Sequence, residues 1–250
     1  MDIGAYLKRL NYDGPTDPSA DVLQALQVAH LLSVPFENLS IHAHEPIVLD
    51  DESLFAKIVE RRRGGFCYEL NGLFAALLRA LGFKVEMLSA EVPNAQGEFS
   101  EPFDHMTLLV SLQQRWLVDV GFGDSFVAPL RIDQTSEQKQ QHGSFRIAAA
   151  GSHLVLDKCV AGAWRTEYRF TLQPYQFKDF AAMCVYHQTS PHSQFTQKRI
   201  CSRLTAPGAR ITLSKMRFIE TSSDGQRRER TLSDEEEYRS ILKEHFGIVM

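Results

Sequence analysis

The chain has 250 residues, 44% hydrophobic and 23% charged, with a formal net charge of −4. That balance describes a soluble globular protein of one large domain or a few lobes sharing cores, and its slight acidity gives no electrostatic case for a nucleic-acid partner. No apolar stretch approaches the roughly 20 residues that span a bilayer, and the first nine residues lack the charged start and apolar run of a signal peptide. Four widely spaced cysteines with no C-x-x-C pair suit a reducing compartment better than a disulfide framework or a structural zinc site. A cytoplasmic location is therefore expected.

Residues 3–10 predict a short helix, closed by the turn Asn11-Tyr12-Asp13-Gly14-Pro15. Asp17 is the expected N-cap of the next helix, with Pro18 at its first position and Val22, Leu23, Leu26, Ala29 and Leu31 on its apolar side. That helix must end before Pro35, because the residue preceding a proline is pushed out of the α region. Val34-Pro35-Phe36-Glu37-Asn38-Leu39 is then a non-helical segment carrying an aromatic and a carboxylate. Asp50 or Asp51 caps another helix, with Leu54, Phe55, Ile58 and Val59 inward. The helices preceding residue 82 read as one bundle.

After Gly82 the pattern turns to short β-type runs at 84–92, 105–112 and 115–120, and residues 133–142 read as a polar exposed loop. A three-strand meander is expected at 144–149, 153–160 and 163–170, so the middle third predicts an antiparallel sheet closed into a small barrel. Pro174-Tyr175 opens a predicted helix through about Tyr186. Further strands follow at 199–204, 210–213, 216–221 and 227–231, with Ser222-Ser223-Asp224-Gly225 as a hairpin signal. Ser233 and Glu236 form a capping box for a last helix, which Gly247 stops.

The chemistry centres on Arg62-Arg63-Gly64-Gly65-Phe66-Cys67-Tyr68-Glu69-Leu70-Asn71. From Phe66 the apolar residues recur at Leu70, Leu73, Phe74, Leu77, Leu78 and Leu81, a 3.6-residue period that puts Cys67 in the first turn of a buried helix. Free N–H groups and the positive helix end favour a thiolate there. Two readings stand open, a nucleophile and a small buried hydrophobe. A nucleophilic cysteine needs a base and a group that fixes the base's tautomer. His105, opening the second strand, and Asp119, in the apolar run Leu117-Val118-Asp119-Val120, fit those roles; a 105–112 and 115–120 hairpin would bring them together. The alternatives are a strand-end histidine and a carboxylate that pairs with an arginine or caps a turn. His42-Ala43-His44-Glu45 lacks a third ligand at convincing spacing, so no metal is assigned. Cys159, Cys184 and Cys201 read as inert packing.

These motifs together resemble the arylamine N-acetyltransferase family in its shorter bacterial form. The matching pieces are Tyr12-Asp13-Gly14-Pro15, Val34-Pro35-Phe36-Glu37-Asn38-Leu39, Arg63-Gly64-Gly65-Phe66-Cys67, His105-Met106, Val118-Asp119-Val120-Gly121-Phe122-Gly123, Gln188-Thr189-Ser190-Pro191 and Phe246-Gly247-Ile248, in the family's order over essentially the whole chain. The resemblance implies an α+β fold: a helical bundle at 1–82 carrying the cysteine, a β-barrel at 83–172 carrying histidine and aspartate, and an α/β lid at 173–250, with a cysteine-protease or transglutaminase-like core. It also implies ping-pong transfer of acetyl from acetyl-CoA, through a thioester on Cys67, to an aromatic amine, hydroxylamine or hydrazine. His105 is then base and Asp119 orienter. Glu37 and Arg63 match an ion pair bracing the active-site loop, and Phe36 and Phe122 line the acceptor pocket. Gly121, Phe122 and Gly123 match the loop approached by the donor, and Tyr186 and Ser190 a region touched by coenzyme A. The long mid-chain insertion and C-terminal tail of vertebrate members are absent, which implies a more open pocket. An amide synthase or thioesterase-like enzyme using another acyl donor on the same triad is the alternative.

Overall fold

The computed structural model describes residues 1–141, 143–206 and 208–250. Helices α1 (Ile3–Arg9), α2 (Ala20–Ser33), α3 (Leu39–His42), α4 (Asp51–Phe55) and α5 (Cys67–Ala80) come first, α4 running on into a π turn at Ala56–Glu60. The cap of α2 is Ser19, not Asp17: its hydroxyl accepts from Val22 N at 3.2 Å, leaving Pro18 ahead of the cap. Asp50 caps α4, its carboxylate accepting from Ser53 N at 2.8 Å. The apolar stripe of α5 is fully enclosed, with Leu70, Leu73, Phe74, Leu77 and Leu78 at zero exposure in one core with α1, α2 and the first long strands.

Eight antiparallel strands form the barrel-like sheet: β2 (Lys84–Glu91), β3 (His105–Ser111), β4 (Arg115–Val118), β5 (Leu130–Arg131), β6 (Gln138–Gln140), β7 (Gly143–Ala150), β8 (His153–Val160) and β9 (Ala163–Tyr175), in the order β5-β4-β3-β2-β9-β8-β7-β6. Two sequence expectations change here. The polar loop at 133–142 contains β6, His142 itself lying outside the described residues. Residues 174–175 end a strand rather than opening a helix, since Pro174 and Tyr175 pair with Leu88 and Met87; the helical turn begins at Phe177 and continues as α6 (Ala181–Thr189). Among the described residues no ladder joins the edge strands β5 and β6, and two glutamines take its place. Gln138 accepts from Arg131 N at 2.8 Å and donates to Arg131 O at 2.9 Å, while Gln140 accepts from Val127 N and Ala128 N and donates to Ala128 O. A primary amide offers the same donor and acceptor as a peptide, so these side chains satisfy an otherwise open edge. Inside lie Leu88, Leu109, Leu117, Phe126, Phe145, Leu156 and Phe170.

The second sheet has the order β1-β10-β11-β12-β13, with β1 (Phe36–Glu37), β10 (Ile200–Ala206), β11 (Ala209–Ser214), β12 (Arg217–Thr221) and β13 (Arg227–Thr231). Helix α7 (Gln194–Gln197) precedes it and α8 (Glu235–Ile241) packs on it. The last cap is Asp234 rather than Ser233: Asp234 accepts from Glu237 N at 2.9 Å, and Glu237 accepts in return from Ser233 N at 2.7 Å. Gly247 stops the following turn at φ +69°. The edge strand β1 is borrowed from the N-terminal third. Glu37 pairs with Cys201 on one side, and on the other its N–H donates to Gly65 O at 2.8 Å. The short segment 35–37 thus ties the cysteine loop to the C-terminal sheet.

Gly64 lies where these parts meet. A Cβ there would fall 1.9 Å from Pro35 O, a backbone atom that cannot swing aside. Close approach, not a left-handed turn, is therefore why glycine stands at this position; the positive φ of the loop belongs to Arg62. Gly64→Ala is expected to cost at least about 3 kcal/mol and lower Tm by about 6 to 12 °C. A thermal melt within a degree or so of wild type would show that the loop is not clamped.

Candidate active site

Cys67 is the first residue of α5 and is 3% exposed. The loop beneath it is held by two buried ion pairs. Arg63 Nε donates to Glu37 Oε1 at 3.0 Å, and Glu37 Oε2 accepts from Leu39 N at 2.6 Å. Burial alone would push the Glu37 carboxyl up, but Lys57 and Arg63 outweigh it and hold the group below its ordinary value. Lys57 Nζ reaches Glu69 Oε1 at 2.7 Å, and Glu69 Oε2 accepts from Phe66 N at 3.1 Å, so the residue before Cys67 is fixed by a side chain two residues after it. The Arg9 guanidinium, also buried, donates to Ile58 O, Ser33 O, Arg62 O and Arg63 O. Glu37 and Arg63 were legible as a pair; Lys57–Glu69 and Arg9 were not, because each depends on which chain segments meet.

The structure brings Cys67, His105 and Asp119 together. His105 and Cys67 line the same cavity of ≈ 680 Å³. His105 Nε2 lies 2.7 Å from Asp119 Oδ2, leaving Nδ1 as the ring nitrogen free of that partner. Asp119 sits just past β4, and its carboxylate is saturated with donors. Oδ2 also accepts from Tyr168 OH at 3.1 Å, while Oδ1 accepts from Asn71 Nδ2 and Gly121 N, each at 2.9 Å. A buried carboxylate supplied this way has its oxygens fully hydrogen-bonded and is fixed in orientation toward the histidine.

Sequence reasoning missed most of these holding residues. Asn71 lies one helical turn beyond Cys67 on the same face, donates also to Met106 O at 2.7 Å and accepts from Val120 N at 2.9 Å. Its signal was a polar residue inside an apolar stripe. Tyr68 OH donates to Phe103 O at 2.7 Å, pinning the loop before His105 at a residue with φ +70°. Gln27 on α2 donates to Val127 O at 2.9 Å and accepts from Asp119 N at 3.4 Å. Gly121 packs directly on the cysteine, since a Cβ would lie 2.8 Å from Cys67 Cα. At Gly121 the loop backbone thus runs against Cys67 itself, while Gly123 has open space around it.

The helix start and the Met106 N–H favour an anionic sulfur, yet burial pushes the Cys67 thiol well above its usual value, and Asp104 and Asp119 act in the same direction. The helix end therefore does not by itself offset the burial of this sulfur. This thiol needs a base at hand.

Phe36, Gly121, Phe122 and Tyr186 line the cavity, joined by Phe195, His192 and Lys198; Gly123 and Ser190 stand outside its lining. Phe122 meets the His105 ring edge-on at 5.1 Å, and Phe36 lies 6.1 Å from Phe195. Gly123 O accepts from Arg210 at 2.6 Å, and Ser190 caps α6 with its N–H on Tyr186 O.

Behind the Gly121–Asp124 loop, Ser125 Oγ donates to Glu167 on β9. Burial pushes the Glu167 carboxyl up to about 7, against the Ser125 hydrogen bond and Lys158. A carboxyl raised on folding stabilises the protein below its unfolded value, and that contribution is lost as pH rises through about 7. Glu167→Gln is accordingly expected to leave Tm near pH 4 unchanged and to raise it at pH 8 by about 7 to 14 °C, from about 3 to 4 kcal/mol for the full shift. Parallel Tm-versus-pH curves for the two proteins would contradict this.

A helical bundle, a barrel-like sheet and a smaller sheet thus meet around one cavity lined by Cys67 and His105, with Asp119 on the far nitrogen of the histidine. A family profile described as N-acetyltransferase matches residues 19–250. The chain is 33% identical over 245 residues to arylamine N-acetyltransferase of Escherichia coli K12, covering 97% of this chain and 87% of that protein. The solved structure of the Salmonella typhimurium enzyme superposes with a TM-score of 0.93 at 30% identity, over 98% of this chain and 90% of that one. That of Mycobacterium marinum arylamine N-acetyltransferase in complex with CoA superposes at 0.91 and 33% identity, over 99% and 93%. The chain belongs to the arylamine N-acetyltransferase family. Among the described residues no helix is long and apolar enough to cross a membrane.

Proposed function

We propose that the protein is a cytoplasmic acetyl-CoA-dependent transferase that acetylates arylamines, arylhydroxylamines or hydrazines through a thioester on Cys67. The observation that carries this reading is a buried cysteine sharing a cavity with a histidine whose far nitrogen is held at 2.7 Å by a fully hydrogen-bonded aspartate.

His105 Nδ1 takes the Cys67 proton, and Asp119 stabilises the imidazolium that results. The sulfur attacks the acetyl carbonyl of the donor, a carbon–sulfur bond to Cys67 forms, and the bond to the CoA sulfur breaks. His105 returns its proton to that leaving sulfur. In the second half the acceptor nitrogen attacks the Cys67 thioester, the new bond to nitrogen forms and the bond to Cys67 breaks. The surplus amine proton passes by way of His105 back to the cysteine. The donor fits what lines the cavity: Gly121, Phe122 and Tyr186 at the wall, with His192 and Lys198 supplying cationic or hydrogen-bonding groups at the rim for an anionic molecule. Gly123 and Ser190 extend the donor side outward along the same two segments. Phe36 and Phe122 offer flat apolar faces to an aromatic acceptor and limit water at the thioester. Glu37 and Arg63 keep the cysteine loop in place.

Initial rates measured over a grid of acetyl-CoA and arylamine concentrations test the reading. Parallel double-reciprocal lines are expected for transfer through an acyl-enzyme. Intersecting lines, or acetyl-CoA consumption independent of any amine, would overturn it.

A further inference from the structure

The steps above leave one histidine of the cavity wall without a task. His187 on α6 is 5% exposed and lines the same cavity as Cys67 and His105. Its ring stacks on Tyr68 at 6.0 Å and meets Phe66, Tyr186 and Phe195 edge-on. Nδ1 lies 3.0 Å from Ser193 Oγ, and Nε2 lies 3.2 Å from Asp104 Oδ1. Ser193 Oγ also accepts from Phe195 N, and we assign its own proton to Nδ1. The ring proton is then on Nε2, facing Asp104, in a contact that is electrostatic more than a directed hydrogen bond.

Asp104 is not a remote carboxylate. It precedes His105 in the chain, lines the cavity, and its charge opposes ionisation of Cys67. The titratable groups around His187 are Asp104 ahead of β3, Tyr68 on α5 and Tyr186 on its own helix. Those bearing on Cys67 are His105, Asp104, Asp119 and Cys184.

We propose that His187 is a positioning residue for the Cys67–His105 pair: its Nε2–H faces the Asp104 carboxylate and offsets the charge that Asp104 would otherwise direct at the sulfur. This rests on Cys67 being the nucleophile. It gives the lid helix α6 an electrostatic part in activating a cysteine on the bundle helix α5.

The test is the pH dependence of Cys67 alkylation by iodoacetamide, followed by peptide mass, on the full-length protein. His187→Phe keeps the aromatic packing but loses the donor, and the midpoint is expected to rise by about one pH unit. His187→Gln retains a donor and is expected to fall between that variant and wild type. Asp104→Asn removes the opposing charge with His187 in place, and its midpoint is expected to drop. A His187→Phe profile that superimposes on wild type in a folded protein would overturn the proposal, as would an upward shift in Asp104→Asn. Wild-type Cys67 reacting no faster than the partly exposed Cys159 would instead overturn the nucleophile reading beneath it.

Discussion

Cys67→Ser is expected to lower acetyl transfer by at least about four orders of magnitude while changing stability by about 1 kcal/mol or less. The cysteine sits in a pocket that already raises the cost of an anion, through burial and two neighbouring carboxylates. A hydroxyl is a far weaker acid than a thiol, so His105 cannot remove its proton to any useful extent in the same surroundings. The fold should tolerate the change, because the smaller oxygen can still accept from the Met106 N–H that faces the sulfur. Steady-state transfer rates and a thermal melt measured on one preparation separate the two effects. Residual transfer within tenfold of wild type would place the nucleophile elsewhere.

Asp119→Asn is expected to cost about 10³- to 10⁴-fold in kcat. Asp119 receives four donors, from His105, Tyr168, Asn71 and Gly121. An asparagine can satisfy one pair with its oxygen but must turn its NH₂ toward the other. If it faces Asn71 and Gly121 with oxygen, its amide hydrogens meet His105 Nε2, which is forced to become an acceptor. The ring proton then moves to Nδ1, the nitrogen needed as base. If it turns the other way, two buried N–H donors face its NH₂, and stability falls by about 1 to 3 kcal/mol. Both outcomes reduce kcat, and the melt shows which rotamer is adopted. Wild-type kcat in this variant would remove Asp119 from the proposed mechanism.

What the sequence disclosed divides along a physical line. Helix α5 was legible because its stripe of apolar residues is a local, periodic signal, and its 14-residue length made the period unambiguous. The three chemical residues were legible because each carries a group that an apolar strand or helix start does not otherwise need. The cap of α4 fell on Asp50 as expected. Those of α2 and α8 were right in kind and displaced by two residues and by one, since Asp17 and Ser19, or Ser233 and Asp234, are equally able acceptors and only the buried face downstream selects between them. Least legible were features that depend on distant segments. Strand β1 is two residues long, and its partner β10 lies more than 160 positions away. Gln138 and Gln140 looked like ordinary polar loop residues, yet their amides close the barrel edge. Tyr168, Gln27 and His187 reach the site through tertiary contacts alone, and no local pattern marks them.

The central claim is that Cys67 carries the acyl group. Intact-mass measurement after mixing the purified protein with acetyl-CoA in the absence of any amine tests it most directly. One added acetyl group is expected, mapped to the Cys67 peptide, absent in Cys67→Ser and discharged when an arylamine is added. An unmodified protein, or an acetyl group that maps to another residue and is released at the same rate by the amine, would contradict it.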